Sequence, residues 1–228
     1  MFDVAQQRWT QPVTSGFPAG AGLSSHTASL LKNGEVLVLG REGSLRMQRR
    51  SGSAYALVPA ACDFSRFVYR PEALHVDSRS GHSASAVGST LYVVGGREDR
   101  LVQLFGDCPS PLAPSALVDQ LAGALRSGGR PTPKPPGGRK NHAAVPGRDA
   151  LLVVGGETFD GRSRGPVPDT LLLDVRNALA AYRVPVGGAV VARAGAACLY
   201  DDRCILLHGG VNEANRVTGD IAEFTLSG

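Results

Sequence analysis

Four stretches of the chain repeat one pattern, and this recurrence constrains the fold more than any single motif. They read "SSHTASLLKNGEVLVLGR" (24–41), "SGHSASAVGSTLYVVGG" (80–96), "KNHAAVPGRDALLVVGGE" (140–157) and "ARAGAACLYDDRCILLHGGV" (192–211). Each opens on small polar residues around a histidine position, continues as a small alternating run, turns, and ends in an apolar run closed by glycine. Anchored on Gly40, Gly95, Gly155 and Gly209, the copies are spaced by 55, 60 and 54 residues. A unit of that size cannot bury its own apolar faces, so the copies must stack on one another.

The apolar runs are Val36–Leu39, Leu91–Val94, Leu151–Val154 and Ile205–Leu207. They are β-branched and too short for helices, so they read as buried strands. The preceding turns, "KNGE", "VGST", "PGRD" and "YDDR", carry the Gly, Asn and Asp of tight hairpins. The hairpin strands are placed at 82–87, 91–95, 142–146, 151–155, 196–200 and 204–208. A third strand follows as "SAYAL" (53–57), "RLVQLF" (100–105), "DTLLLDV" (169–175) and "DIAEFTL" (220–226). A weaker fourth follows as "SRFVYR" (65–70) and "LAAYRVPV" (179–186). The chain is all-β, built of antiparallel meanders.

The glycine pairs after the second strand, the aspartate-led third strands and Trp9 in "RWTQ" together resemble the kelch repeat family. The resemblance implies a kelch-type β-propeller with about four blades visible, part of a larger ring of about six blades or an incomplete one. Residues 1–20 then end a preceding blade as its third and fourth strands, and 21–75 form a blade. Residues 76–106 supply three strands of another, 107–138 are an insert, 139–187 a blade, and 188–228 a final blade lacking its fourth strand. The chain departs from the pattern at Gly40-Arg41, where a second glycine is expected, and at Ala196, where a histidine is expected. Two closures stay open. Residues 2–11 complete a ring of four, or the chain is a fragment that exposes a sheet edge and associates; the fragment is the expected form.

With 228 residues and 43% hydrophobic content the chain can bury a substantial core. No run approaches 18 apolar residues, and "MFDVAQQRW" lacks the pattern of a secretory signal. Cys62, Cys108, Cys198 and Cys204 show no zinc-site pairing; Cys198 and Cys204 flank one turn and are expected reduced rather than bridged. A cytoplasmic or nuclear location is the expectation, without membrane association. The net charge of +4 comes from dispersed residues. The densest cluster, "REGSLRMQRR" (41–50), reads as a solvated loop, so nucleic acid is not expected as a partner.

The insert gathers Pro109, Pro111, Pro114, Pro131, Pro133, Pro135 and Pro136. Between them Leu117, Leu121 and Leu125 mark one amphipathic helix, with Ser115 as cap and Gly128 as stop. It is expected to fold back on the blade it interrupts, in place of a fourth strand, rather than to dock another protein.

Candidate chemistry is sparse. His26, His82 and His142 recur at one position of successive repeats, which spreads them apart; each is expected to hydrogen-bond within its own blade, and no metal or other cofactor is expected. Gly95, Gly96, Gly155, Gly156, Gly209 and Gly210 lead into irregular segments, so they serve backbone shape and not phosphate binding. No catalytic constellation stands out. Three residues before the histidine position lie Arg79, Arg139 and Arg193, which repeat geometry places around one mouth of the propeller channel. The loops after the glycines add Arg41, Arg97, Glu98, Asp99, Glu157 and Glu213. Family resemblance implies that partners bind at this mouth, where arginine suits an acidic segment of another protein. The competing reading is that the arginines pair with loop acids and brace neighbouring blades. The expected function is a non-catalytic protein-interaction module, with the resemblance implying a ubiquitin-ligase substrate adaptor. The alternative is a metal-dependent kelch enzyme resembling galactose oxidase or the specifier proteins.

Overall fold

The structure is a computed structural model describing residues 1–18, 22–42, 52–60, 65–74, 79–96, 102–132, 138–159, 163–187 and 192–226. It divides into two compact units, Met1–Ser78 and Arg79–Gly228.

The first unit begins with a two-stranded hairpin, β1 (Phe2–Asp3) against β2 (Arg8–Trp9). Next come β3 (Val13–Ser15), β4 (Leu23–Leu30), β5 (Val36–Glu42), β6 (Gly52–Pro59) and β7 (Arg66–Pro71), forming one sheet ordered β3-β7-β6-β5-β4. Strands β4 to β7 are the antiparallel meander read from the sequence. Strand β3 is an addition, running parallel to β7 with Val13 opposite Arg66 and Ser15 opposite Val68. Three residues without alternating hydrophobicity give no strand signal, which is why this edge was unreadable. Gly16 makes the turn out of β3 with φ +82°, and a Cβ there would lie 2.2 Å from the Tyr69 carbonyl oxygen. Phe17 packs beside Tyr55 and Tyr69 at ring centroid distances of 4.9 and 5.1 Å.

The second unit holds three blades. The first is β8 (His82–Val87), β9 (Thr90–Gly95) and β10 (Val102–Phe105); the helix α1 (Ala116–Gly128) and the short strand β11 (Gly138–Lys140) follow it. The second blade is β12 (Ala143–Pro146), β13 (Ala150–Val154), β16 (Thr170–Asp174) and β17 (Ala180–Arg183), an antiparallel meander in that order. Between β13 and β16 the chain leaves the blade as a hairpin, β14 (Glu157–Phe159) and β15 (Ser163–Pro166), which pairs with β11. The third blade is β18 (Ala197–Tyr200), β19 (Cys204–His208) and β20 (Ile221–Thr225).

Every residue of β13 and β16 is buried, because this blade is covered on both faces. Alternation divides the side chains. Leu151, Val153, Leu171 and Leu173 meet Val87, Tyr92 and Val94 of the first blade. Leu152, Val154 and Leu172 meet Ile205 and Leu207 of the third. Burial of each such side chain is worth about 1.5–3 kcal/mol, and neither blade surface could stay wet at that density of aliphatics.

Helix α1 does not sit where the sequence reading placed it. Its Leu117, Val118 and Ala122 join Val145, Ala150, Leu152 and Leu207, so it covers the second and third blades rather than the first. The Ser115 hydroxyl donates to the Asp201 carbonyl oxygen (3.0 Å) instead of capping the helix, and the Asp202 carboxylate accepts from the Ala116 N–H (3.3 Å). Gly128 is the last helical residue, with Gly129 as the extended cap. At the far end Arg126 donates to Asp149 (2.8 Å) and Asp174 (2.7 Å), and Asp174 is held below its ordinary pKa, chiefly by that hydrogen bond. Among the described residues no helix is long and apolar enough to cross a membrane.

Candidate functional site

Of the residues expected to bind a partner, Arg41 lies in the first unit and Arg79, Arg139, Arg193, Glu157 and Glu213 in the second, where the geometry of the three arginines follows from the paired glycines. Both members of each pair have left-handed backbone, with φ of +68° and +92° at Gly95 and Gly96, +63° and +84° at Gly155 and Gly156, and +70° and +90° at Gly209 and Gly210. That conformation ends the strand and turns its last polar groups sideways. Gly96 N–H donates to the Arg139 carbonyl oxygen, and Gly156 N–H to that of Arg193, each at 2.6 Å. A Cβ on Gly95 would lie 1.9 Å from the Arg139 carbonyl oxygen, a separation no side chain permits.

Each arginine returns the bond within its own blade. The Nη1 atoms of Arg79, Arg139 and Arg193 donate to the carbonyl oxygens of Gly95, Gly155 and Gly209 at 2.7, 2.8 and 3.0 Å. Arg139 also donates to the Asp169 carbonyl oxygen (3.1 Å), and Arg193 to Thr218 Oγ1 (3.1 Å) and to the Asp220 carboxylate. The three are 0%, 3% and 3% exposed. Expected at the rim of a channel mouth, they are turned into the protein instead, where their Nη1 groups bond the glycine turns and the buried side chains present no surface to a partner. Burial lowers the Arg139 pKa, against the opposing pull of Asp169. The acids that meet Arg139 and Arg193 are the aspartates leading the third strands, a pairing the sequence displayed but that only the fold connects.

A second thread joins the blades one residue before the histidine position. Gly81, Asn141 and Gly195 all have left-handed backbone (φ +75°, +55°, +71°). Asn141 N–H donates to the Gly81 carbonyl oxygen and Gly195 N–H to that of Asn141, both at 2.7 Å. In the first unit Ser25, which precedes His26, has φ +48°.

The histidines do not share one environment. His26 is exposed, whereas His82 and His142 are buried. His142 Nε2 lies 2.8 Å from Ser83 Oγ of the preceding blade, so this histidine links blades instead of bonding within its own. Burial, then the positive charge of Arg139 and of His82, push its pKa down to about 3, so the ring is neutral. Gly40 also shifts in register. A Cβ on it would lie 2.9 Å from His26 Cβ, as one on Gly156 would lie 2.7 Å from His142 Cβ. Gly40 therefore occupies the place of the second glycine, and β5 runs on through Arg41.

Arg41 is half-buried in that strand; Glu157 is half-buried, bonded to Lys140 Nζ (3.0 Å) and Asn141 Nδ2 (3.0 Å); Glu213 is exposed on a turn closed by Asn212. Arg97, Glu98, Asp99, Cys62 and His75 lie outside the described residues, as do Pro133, Pro135 and Pro136. Cys198 and Cys204 are free thiols in different pairing registers, opposite Leu207 and Thr225. Among the described residues no three His, Cys, Asp or Glu side chains are grouped to hold a metal ion.

The chain is 34% identical over 233 residues to human kelch domain-containing protein 9, covering 92% of this chain and 63% of the relative. Against the mouse protein of that name the identity is 34% over 217 residues, covering 86% and 59%. The chain is a kelch-repeat protein. Its meanders are blades of a kelch β-propeller, and it spans about three-fifths of the length of the relatives it matches. No family model matches it. In kelch terms the glycine pairs and arginines just described are the joints between blades.

Proposed function

We infer that this kelch chain is a non-catalytic protein-interaction module whose contact surface is formed by the loops leaving the glycine pairs. The observation that carries this reading is the contrast between the buried clamp and what it holds out. Arg139 and Arg193 are fixed under the loops, while Arg164, Glu213, Arg216 and Val217 on those loops are exposed. Rigidly based loops with solvated charge suit recognition, because little order is lost on binding. The partner proposed is an acidic segment of another protein. Arg216, on the loop after Gly209 and Gly210, and Arg183, which ends β17 and is not on those loops, offer it guanidinium groups, the latter through an exposed pair with Asp169 (2.8 Å) that is weak enough to exchange. A ubiquitin-ligase adaptor role extends this reading and rests on family resemblance alone. Cys198 and Cys204, unbridged on one hairpin, fit a reducing compartment, cytoplasmic or nuclear.

Affinity capture with the full chain tests the surface. A double variant, Arg183→Glu with Arg216→Glu, should lose partners that the natural chain retains, at an unchanged melting temperature. Arg139→Met should lower the melting temperature instead. Capture indifferent to the double variant would remove the proposed surface, and stoichiometric copper or iron in the purified protein would favour the metal-enzyme reading.

A further inference from the structure

Two features outside that surface are complementary. The first is a cleft of about 400 Å³ at the outer end of the third blade, between the proline-rich segment before α1 and the β18–β19 turn. Its apolar lining includes Leu112, Pro114, Leu199 and Tyr200, with Leu112 63% and Leu199 69% exposed. Asp201 and Asp202 close one side. Asp201 is fixed by N–H bonds from Arg203 (2.7 Å) and Cys204 (2.8 Å), and Asp202 by that of Ala116, so the rim is rigid and negative.

The second is the β1–β2 hairpin. Its ends are tied by Met1 and Thr10 exchanging bonds of 2.6 and 2.8 Å, and its turn by Gln6 N–H donating to Asp3 (2.9 Å). This frame holds out Trp9, 79% exposed, with the Phe2 ring tilted against it at a centroid distance of 5.1 Å. Beside Trp9 stands Arg8, exposed and without an ion pair among the described residues. Trp and Arg are the residue types that most often dominate an interface, and an apolar cleft with an acidic rim fits both at once.

We propose that the cleft of one copy receives the Arg8–Trp9 hairpin of a second copy, the indole entering between Leu112 and Leu199 and Arg8 meeting Asp201 and Asp202. This goes beyond the loop surface proposed above and uses none of its residues. Each copy carries one hairpin and one cleft, so the contact joins unlike surfaces, and copies assemble through it as a reciprocal pair, a closed ring or an open chain.

Trp9 is the single tryptophan of the chain, which makes it a specific reporter. For the full chain, sedimentation should give a mass that rises with concentration above that of a single chain, with Trp9 emission shifting to the blue in parallel. Trp9→Ala and Leu199→Asp should each be monomeric; both side chains are exposed, so each variant should melt as the natural chain does, and Leu112→Asp serves if Leu199→Asp does not fold. Mixed one to one, Trp9→Ala keeps its cleft and Leu199→Asp its hairpin. The mixture should form a dimer that grows no further. Arg8→Glu should weaken association at least tenfold. A natural chain that is monomeric throughout, single variants that still associate, a mixture that does not pair, or a blue shift that survives dilution would each overturn the proposal.

Discussion

Gly95 and Gly155 combine a left-handed backbone with a carbonyl oxygen where a side chain would begin. Gly88, in the turn of the first blade, has φ +61°, but among the described residues nothing lies within 4 Å of where its Cβ would stand. Gly88→Ala should therefore cost about 1 kcal/mol, the conformational penalty alone, whereas Gly95→Ala adds overpacking and should cost about 3 kcal/mol or more. Denaturant unfolding of the two variants makes the comparison. His142 supplies a pH dependence of defined sign. Its folded pKa of about 3 lies below the unfolded 6.5, so the unfolded chain takes up the proton first and stability falls as pH drops from about 6.5 towards 3. The slope in that window should approach about 1.4 kcal/mol per pH unit, and His142→Asn should flatten it; equal slopes in both proteins would refute this. The glycine pairs and the histidine positions were legible from the repeat. The burial of the arginines was not, because a guanidinium three residues before a histidine looks the same in sequence whether it faces water or a carbonyl oxygen from a turn sixteen residues later.

Helix α1 carries its own test. Asp174 is 2% exposed, and removing Arg126 leaves that carboxylate buried without its main cation. Arg126→Met should destabilise by about 3 kcal/mol or more, while Arg148→Met, which removes an exposed pair with Asp119, should cost under about 1 kcal/mol. Differential scanning calorimetry at neutral pH separates them. The helix itself was readable from leucines at spacing four between two proline clusters. Its destination was not, since an apolar stripe specifies that it must be covered and not by which blade. Strand β3 was hidden for the opposite reason: three residues with exposed side chains are held by backbone bonds alone.

Across the molecule, the order in which backbone amides exchange with solvent should follow coverage. In the second unit β13 and β16 are buried at every residue, while β18 and β20 alternate between exposed and half-buried. Hydrogen exchange should therefore be slowest at Leu151–Val154 and Leu171–Leu173 and faster at Ile221–Thr225; uniform protection would contradict this picture. The meander, and with it the family, was legible because hydrophobic alternation and turn chemistry recur in every copy. The residues that join neighbouring blades recur as well, but which group meets which across the joint is set by the fold and had to come from the structure.

The joints between blades also bear on how a chain like this is inherited. The Arg139 carbonyl accepts from the preceding glycine pair and Gly156 donates to the arginine that follows, so one stretch of chain carries both halves of the fastening. A gene segment encoding that stretch, duplicated in tandem, would bring a compatible plug and socket with it. As far as this fastening is concerned, gain or loss of a whole blade then demands no matching mutation elsewhere; the apolar faces and the His142–Ser83 link are what a new neighbour must still match.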